Sequence, residues 1–319
     1  MISDGQVVTI DASVGIALAP SDGSTPSDLL KHADMALHGA KADGAGTYRF
    51  FEPVMDARMK ARRSLELALR HALEAGQFHL HYQPVVRLED NTINGCEALI
   101  RWNHPERGMI SPGEFIPVAE EMGLIVPLGE WVLRRACADA ALWPDDIRIA
   151  VNLSPIQVKN QNLVMVVMGA LAAAGLPARR LELEITESVL MQNTEATLIA
   201  LHRLRQLGVR ISLDDFGTGY SSLSYLRSFP FDKIKIDRCF IRDLPDDTHA
   251  AAIIQAVTGL ADRLGMVTTA EGIETEEQRV QVRLLGCTEM QGFLFSPPRS
   301  VADIAAFFAD RTPKRAMTA

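Results

Sequence analysis

Two adjacent aspartates, Asp214 and Asp215, end an apolar run and stand directly before a glycine-containing loop in ISLDDFGTGYSSL (211–223). Carboxylates that are withdrawn from water take up protons or pair with cations, because burying an uncompensated charge is costly. Two carboxylates side by side at a strand end could therefore serve two divalent cations, with one carboxylate bridging the ions. Taken alone, however, two aspartates before a glycine more often belong to a turn.

Other polar residues recur late in apolar runs or in the turns just after them. They are Glu97, Asn152, Glu184, Glu187, Lys235, Asp237, Glu271 and Glu274, and Gln291 opens the last run. Carboxylate and amide oxygens, without Cys or an obvious His, favour Mg²⁺ or Mn²⁺ over Zn²⁺. Lys235 adds a positive group that could orient water or neutralise a phosphate oxygen. Two hard cations and a lysine together form a site for phosphoester hydrolysis.

Each of these residues also has a plainer interpretation. A single glutamate could be solvated or half of an ion pair, Asn152 could cap the following helix, and Lys235 could form a structural salt bridge. Their joint placement at the same end of six successive runs favours a shared site. His79 and His81 alternate with apolar residues and His104 falls in a loop, so we assign none of the three to metal.

These residues need a fold that brings the ends of many strands together. Eight strand-like apolar runs, most of them separated by helical patterns, lie at 78–86, 95–102, 147–154, 181–188, 209–215, 233–237, 266–273 and 292–296. This order predicts an α/β fold, a modified TIM (β/α)8 barrel, with the site at the carboxyl ends of its strands. A doubly wound open sheet is the alternative, but no glycine-rich phosphate loop follows the first run.

The first link of the predicted barrel, at 87–94, is too short to hold a helix. We therefore expect the first strand to pair antiparallel with the second as a hairpin, with ING (93–95) in its turn. The residues before the barrel predict a small α/β unit, with strands within 7–19, helical spacing over 29–40 and a strand at TYRFF. The predicted segments are this unit at 1–51, a helical linker at 52–75, the barrel at 76–312 and a tail at 313–319.

Composition limits the class of protein. The chain has 319 residues, is 47% hydrophobic and carries a net charge of −8, which allows a large core and argues against binding to nucleic-acid polymers. Four scattered cysteines without a CxxC pair indicate free thiols in a reducing compartment. No apolar stretch approaches the ~20 residues of a membrane span, and no secretory leader opens the chain. We expect a cytoplasmic protein, with a membrane anchor upstream of this chain left open.

The motifs of the barrel region resemble the EAL domain, a family of cyclic di-GMP phosphodiesterases. The resemblance covers about residues 76–312 and rests on YQPVV, EALIRW, VNLSP, LELEITES, LDDFGTGYSSL, KIKID, AEGIE and QGFLFSPP, in this order. It implies hydrolysis of bis-(3′,5′)-cyclic dimeric GMP to linear 5′-pGpG, by in-line attack of water on phosphorus and departure of the 3′ oxygen. A catalytically silent cyclic di-GMP receptor or protein-interaction module is the alternative, which the complete set of site residues disfavours.

The resemblance also implies a role for each site residue. Two ions, Mg²⁺ or Mn²⁺, would be held by Glu97, Asn152, Glu184, Asp214, Asp215 and Glu271. Lys235 and Gln291 would position the attacking water. The resemblance also implies Glu271 as a general base, so its roles as metal ligand and as base both stay open. Glu187 would brace the loop after Asp215. Substrate binding is assigned to Gln83, Arg101, Asp237 and Pro298.

The first fifty residues resemble the end of a GGDEF (diguanylate cyclase) domain. SVGIALAP followed by ADMALHGAKADGAGTYRF carries this resemblance, and the GGDEF loop with its metal- and GTP-binding residues does not occur in this sequence. We therefore expect no cyclase activity. The EAL family also implies a homodimer formed through the barrel, with the helices near 195–207 and 220–228 as candidate contacts.

Overall fold

The structure is a computed structural model that describes residues 2–3, 6–7, 11–42, 44, 46–191, 195–217, 229–244 and 247–309. The chain divides into two compact units, Met1–His71 and Ala72–Ala319. The first unit is a small α/β structure, and the second is a barrel.

The first unit joins short strands to two helices. Its elements are β1 (Ile2–Ser3), β2 (Gln6–Val7), β3 (Val14–Ile16), α1 (Pro26–Ala42), β4 (Tyr48–Phe50) and α2 (Pro53–Ala72). β3 and β4 pair in parallel, and α1 packs against both. A Cβ atom on Gly15 would lie 2.0 Å from the carbonyl oxygen of Ala33, so only glycine lets β3 approach α1 this closely. The helix expected over 29–40 and the strand expected at TYRFF are confirmed; part of the region 7–19 lies outside the described residues.

The strands of the second unit form one sheet. They are β5 (Phe78–Arg87), β6 (Ile93–His104), β7 (Gly108–Ile110), β8 (Arg148–Leu153), β9 (Leu181–Thr186), β10 (Arg210–Phe216), β11 (Lys233–Ile236), β12 (Val267–Ala270), β13 (Glu289–Met290) and β14 (Arg299–Ser300). Eight of these strands close into a barrel in the order β5, β6, β8, β9, β10, β11, β12 and β13, with β13 pairing back to β5. β7 extends the sheet beside β6, and β14 pairs with β5.

The first barrel strand runs against its neighbours. β5 is antiparallel to both β6 and β13, whereas the pairings from β6 through β8 to β13 are all parallel. Parallel neighbours require a crossover, and an antiparallel pair can use a short hairpin. The modified TIM barrel with an antiparallel first strand is therefore confirmed.

Helices connect most of the barrel strands. They are α3 (Pro112–Glu121), α4 (Ile125–Ala140), α5 (Pro155–Val158), α6 (Leu163–Ala174), α7 (Glu187–Met191), α8 (Glu195–Gln206), α9 (Arg238–Ile241), α10 (Thr248–Arg263), α11 (Glu276–Leu284) and α12 (Val301–Ala309), with a 3-10 turn at Ala178–Arg180. α11 begins with a capping box, in which Thr275 and Gln278 satisfy each other's backbone N–H groups, as such a pair does at helix starts. Within the described residues, none of the helices has the length and apolarity that crossing a membrane requires.

The hairpin between β5 and β6 turns earlier than the sequence predicts. ING (93–95) lies inside β6, and the chain reverses over residues 88–92. Asp90 accepts hydrogen bonds from the backbone N–H and the hydroxyl of Thr92, at 3.0 and 2.7 Å. Asn91 adopts a φ of 58°, which asparagine tolerates better than most residues. The predicted position of the turn is therefore wrong, because side-chain hydrogen bonds in EDNT (89–92) outweigh the glycine signal.

The eighth strand also lies elsewhere. The apolar run 292–296 forms a turn, and the strand is the two residues of β13 that precede it. A Cβ atom on Gly292 would lie 2.1 Å from the carbonyl oxygen of Ile273, and the side chain of Phe293 is exposed. The prediction for this strand is wrong because the apolar run packs as a turn against the end of the seventh strand. Gln291 consequently follows the eighth strand, as other site residues follow theirs, and does not open it.

The two faces of the barrel strands differ in chemistry. On β9, Leu181, Leu183 and Ile185 belong to one large apolar cluster that includes residues of the surrounding helices. Glu182 and Glu184, between them, are also buried. Because side chains alternate along a strand, the apolar residues face the helices and the glutamates face the barrel interior. The apolar core is therefore a shell around the barrel, and much of the interior is polar.

Four polar residues form a layer in the barrel interior, which we call the lower layer. They are contributed by alternate barrel strands, as is usual in such barrels, and are Asn94, Glu182, Lys233 and Glu289. Lys233 Nζ lies 2.7 Å from Glu182 Oε1 and 2.9 Å from Glu289 Oε2. Asn94 and Thr269 both donate to the Glu289 carboxylate. A buried lysine is thus held between two buried carboxylates.

This layer predicts an acid-sensitive stability. Burial opposes ionisation of Glu289, but Lys233 and hydrogen bonds outweigh it and lower the pKa of Glu289 to about 2 from an ordinary value of 4.5. A carboxyl whose pKa is lower in the folded state stabilises the fold above its unfolded pKa and loses that contribution as the pH falls. We expect the loss from this group to be about 2 kcal/mol between pH 6 and pH 3.

Urea unfolding of the wild-type protein and of Glu289→Gln over this pH range measures the effect. The variant is expected to be the less stable protein at pH 6, and the difference between the two proteins should shrink by about 2 kcal/mol towards pH 3. A difference that stays constant with pH would show that Glu289 is not an ion-paired carboxylate.

Candidate active site

Lys235, on β11, lies at the centre of the site. Its Nζ atom lies 2.8 Å from Glu184 Oε2, 2.7 Å from Glu271 Oε1 and 3.2 Å from Asp214 Oδ1. The Oε2 atom of Glu97 is a fourth neighbour at 3.5 Å. Lys235 is only 2% exposed. Glu97 within β6, Glu184 and Asp214 late in β9 and β10, and Glu271 directly after β12 thus each bring a carboxylate to a single buried ammonium group.

Glu97 connects this lysine to a set of amides. Its carboxylate accepts hydrogen bonds from Asn152 Nδ2 at 2.6 Å and from Gln291 Nε2 at 2.6 Å. Gln291 Nε2 also donates to Gln83 Oε1 at 3.0 Å, and Gln83 Nε2 donates to the carbonyl oxygen of Ser296 at 3.2 Å. The amides therefore fix the direction of the Glu97 carboxylate from both sides. The interpretation of Asn152 as a helix cap is wrong, because Ser154 caps α5.

The paired aspartates break the regular pattern of β10. Neighbouring side chains on a strand point to opposite faces, but the pairing of β10 with β11 shifts between Leu213 and Phe216, and Asp215 has a φ of 54°. Such an irregularity re-aims a side chain. Asp214, Asp215 and Glu271 each offer an oxygen, and these oxygens lie within 4.8 Å of one another. The bulge therefore lets two consecutive carboxylates serve one site.

Glu184, Asp215 and Glu271 resist ionisation. Burial, together with repulsion from Asp214 and Glu97, raises the pKa of Glu271 to about 8. Burial is also the main reason that the pKa of Glu184 lies well above its ordinary value. Burial and then the charge of Asp214 raise the pKa of Asp215. The protein thus holds these groups together at an electrostatic cost that added positive charge would relieve.

For Lys235 and Glu97, in contrast, the surroundings favour the charged form. Burial disfavours the ammonium of Lys235, but the surrounding carboxylates, Asp214 and Glu184 foremost, raise its pKa well above the ordinary value. Burial also disfavours the carboxylate of Glu97, but Lys235 and the amide hydrogen bonds outweigh it and lower the pKa of Glu97. The centre of the site is therefore an ammonium–carboxylate pair that stays charged near neutral pH.

The donor set fits a hard divalent cation. Four carboxylates, those of Glu97, Glu184, Asp214 and Glu271, contact the buried ammonium of Lys235, and Asp215 lies beside Asp214 and Glu271. Two buried oxygens, Asp214 Oδ1 and Gln291 Oε1, accept no hydrogen bond from the described residues, although Asp214 Oδ1 lies 3.2 Å from Lys235 Nζ. Excess negative charge and oxygen atoms with spare acceptor capacity are what Mg²⁺ or Mn²⁺ would use. The residues present therefore fit the predicted metal centre.

Glu187 lies at the edge of the site, at the start of α7. Its Oε1 atom accepts a hydrogen bond of 3.0 Å from the backbone N–H of Gly217. Gly217 has a φ of 97°, and a Cβ atom there would lie 2.7 Å from the ring of Phe240. Glu187 thus holds the first residue after β10, while the loop 218–228 and with it part of the predicted dimer contact lie outside the described residues.

The residues assigned to substrate binding lie in different surroundings. Gln83 belongs to the amide set beside Glu97. Arg101 lies on the same strand and face as Glu97, four residues further on, and its Nη1 donates to the carbonyl oxygen of Ile100 at 2.9 Å. Asp237 caps α9 by accepting from the backbone N–H of Cys239 at 2.9 Å. Pro298 is half-buried just before β14.

The residues of the lower layer were not among those predicted for the site. The sequence does indicate this layer, because polar and apolar residues alternate in LELE (181–184) and KIK (233–235) and each segment has two polar residues on the same face. Such alternation normally indicates one solvated face. In this barrel that face is the interior, so both members of each pair are buried.

Known proteins are similar to this chain in sequence and in fold. The family model of the EAL domain matches residues 50–298. The chain is 46% identical over 306 residues to MucR of Pseudomonas aeruginosa PAO1, named a bifunctional diguanylate cyclase/cyclic di-GMP phosphodiesterase, a match that covers 95% of this chain and 45% of MucR. It is 40% identical over 294 residues to PdeR of Escherichia coli K12, named a cyclic di-GMP phosphodiesterase, covering 91% of this chain and 44% of PdeR.

A solved structure is also similar. The PaMucR phosphodiesterase in its c-di-GMP complex superposes with a TM-score of 0.73 and 46% identity, covering 76% of this chain and 99% of that one. The chain spans less than half the length of the two curated relatives. Because the family model matches more than half of the chain, and the barrel matches that of a solved relative, the chain belongs to the EAL domain family.

Proposed function

We propose that this chain is a metal-dependent phosphodiesterase that hydrolyses cyclic di-GMP to linear 5′-pGpG. The observation that carries the proposal is the contact of one buried lysine with four carboxylates at the strand ends of an EAL-family barrel. The names of MucR and PdeR, and the c-di-GMP complex of PaMucR, support the same substrate.

Two divalent cations, Mg²⁺ or Mn²⁺, belong to this proposal. We assign them to Glu97, Asn152, Glu184, Asp214, Asp215 and Glu271. When bound, the cations would supply Lewis-acid stabilisation of the negative charge on the scissile phosphate. The raised pKa values of Glu184, Asp215 and Glu271 support the assignment, because groups that repel one another gain most from added positive charge.

The chain's own residues supply orientation and proton transfer. Lys235 and Gln291 would orient the attacking water, since both lie against the Glu97 carboxylate. Glu271 is the candidate general base, because its carboxylate lies beside Lys235, with 2.7 Å between Oε1 and Nζ, where the attacking water would be oriented. Arg101 would bind a phosphate of the substrate from the same face of β6 as Glu97. Gln83, Asp237 and Pro298 complete the proposed substrate set, and Glu187 would brace the loop that follows Gly217.

Incubation of the protein with cyclic di-GMP and Mn²⁺ or Mg²⁺, followed by chromatography, tests the proposal. We expect 5′-pGpG to accumulate, and we expect EDTA to stop the reaction. Binding of cyclic di-GMP without product, measured by calorimetry on the same preparation, would identify a receptor and overturn the proposed activity.

We further infer that residues 1–51 are the end of a GGDEF domain, joined by 52–75 to the EAL barrel at 76–312. The parallel pair of β3 and β4 with α1, and the match to bifunctional MucR over 95% of this chain, support this inference.

We propose that the chain forms no cyclic di-GMP from GTP, acts in the cytoplasm and dimerises through its barrel. Light scattering at several concentrations tests the dimer.

A further inference from the structure

The lower layer is a charged network that the proposed chemistry does not use. Glu182, Lys233 and Glu289 are 1%, 5% and 3% exposed, so all three are cut off from water. Glu182 Oε2 also lies 3.2 Å from Arg210 Nε. TIM-barrel interiors are usually filled with branched apolar side chains, and a buried ion pair is often no more stabilising than apolar residues of the same size. Stability alone therefore does not explain the charges.

Each charged residue of the lower layer lies two positions before a site residue that is on, or directly after, the same strand. Glu182 precedes Glu184, Lys233 precedes Lys235, and Glu289 precedes Gln291. Residues two apart on a strand point to the same face, so these pairs lie one above the other in the barrel. A displacement of a strand that moves one member of a pair moves the other.

The strands between them carry small interior residues. Ala150, Ser212 and Thr269 lie on β8, β10 and β12 and are each at most 5% exposed. Because these side chains are short, the long side chains of the alternate strands can meet across the barrel. Lys233 accordingly reaches both β9 and β13, which are not its neighbours in the sheet. Its two ion pairs connect strands that backbone hydrogen bonds do not join directly.

We propose that Lys233 is a positioning residue for the phosphodiesterase site. Its ion pairs with Glu182 and Glu289 fix β9, β11 and β13 relative to one another, and thereby fix the site residues two positions further along each strand. The inference rests on the proposed function. It concerns the geometry of the site and assigns Lys233 no contact with substrate.

Replacing Lys233 by Met tests the proposal, because methionine preserves much of the volume and removes both ion pairs. We expect kcat to fall about 10–100-fold, KM to change less than about 3-fold and the Kd for Mn²⁺ to rise about 10-fold, as when residues that support metal ligands are lost. All three are measured well below the Tm of the variant, so that the protein is folded during the assay.

Ile234 provides a matched control on the same strand. It is fully buried and faces the apolar shell, so Ile234→Ala or Ile234→Val destabilises β11 without touching the lower layer. The substitution whose Tm loss matches that of Lys233→Met is used. We expect it to retain wild-type kcat and Mn²⁺ affinity at the same interval below its Tm. Equal losses in both variants would overturn the proposal, because the role of Lys233 would then be structural.

A variant without ionised groups in the lower layer separates position from charge. Glu182→Gln, Lys233→Met and Glu289→Gln combined leave no ionised member in the layer, so we expect the Tm to recover relative to Lys233→Met while kcat stays low. Recovery of kcat and Mn²⁺ affinity together with the Tm would overturn the proposal. If Lys233→Met alone does not fold, this triple variant carries the same test.

The failure of this inference can be told from the failure of the proposed function. If the wild-type protein binds Mn²⁺ but cleaves no cyclic di-GMP, the proposed function is wrong. Titration of Mn²⁺ by electron paramagnetic resonance then still decides the role of Lys233, since it does not depend on turnover. Unchanged Mn²⁺ affinity in both the single and the triple variant would overturn it.

Discussion

Glu97→Ala is expected to abolish hydrolysis of cyclic di-GMP, with a loss of kcat/KM on the order of 10³-fold or more. The substitution removes a proposed metal ligand, and it leaves the amides of Asn152 and Gln291 without the carboxylate that they now share at 2.6 Å each. Lys235 also loses one of its neighbours. Turnover is measured by chromatography of 5′-pGpG, and folding by circular dichroism and thermal unfolding.

Glu89→Ala is the control for this substitution. Glu89 is an exposed glutamate in the turn that joins β5 to β6, so its removal changes the net charge equally without touching the site. We expect Glu89→Ala to keep wild-type turnover. If Glu97→Ala hydrolyses the dinucleotide at the parental rate, Glu97 does not belong to the metal centre.

Lys235→Met is expected to damage both activity and stability. The ammonium contacts Glu184, Asp214 and Glu271 within 3.2 Å, and removing one partner of a buried ion pair typically costs about 3–5 kcal/mol. We expect turnover to fall on the order of 10³-fold, because a preorganised charge in a buried site stabilises the transition state strongly. The Tm should fall, and Mn²⁺ should restore part of it by neutralising the carboxylates.

Lys159→Met serves as the control here. Lys159 is an exposed lysine after α5, and exposed charges contribute about 0–1 kcal/mol. Its removal should leave both Tm and turnover close to the parental values. A Lys235→Met protein with the parental Tm would contradict the ion-pair network at the centre of the barrel.

The sequence predicts the barrel well because strands and helices alternate with clear periodicity. The antiparallel first strand also follows from the sequence, because the short link at 87–94 excludes a crossover helix. The eighth strand could not be placed correctly from the apolar run 292–296. The turn formed by that run depends on the close approach of Gly292 to the backbone of Ile273, which is a tertiary feature.

The candidate site, like the fold, could be predicted only in part from the sequence. The residues that meet at Lys235 could be selected from their positions at strand ends. The left-handed backbone of Asp215 could not, because aspartate tolerates this conformation but adopts it at few positions, and the local sequence does not select one of the two aspartates. The lower layer was missed because alternating polar residues usually indicate a solvated face, and only barrel closure buries that face.

The barrel has an apolar shell and a polar interior. The two sets of positions therefore differ in the substitutions that they tolerate. Shell residues such as Leu183 and Ile234 can be exchanged for other hydrocarbons of similar volume at a modest cost, without altering the charges that surround the substrate. A change at one charged interior residue leaves its buried partner unpaired, which is more costly. Stabilising variants of this protein are therefore best sought beneath the helices, where substitutions leave the polar interior unchanged.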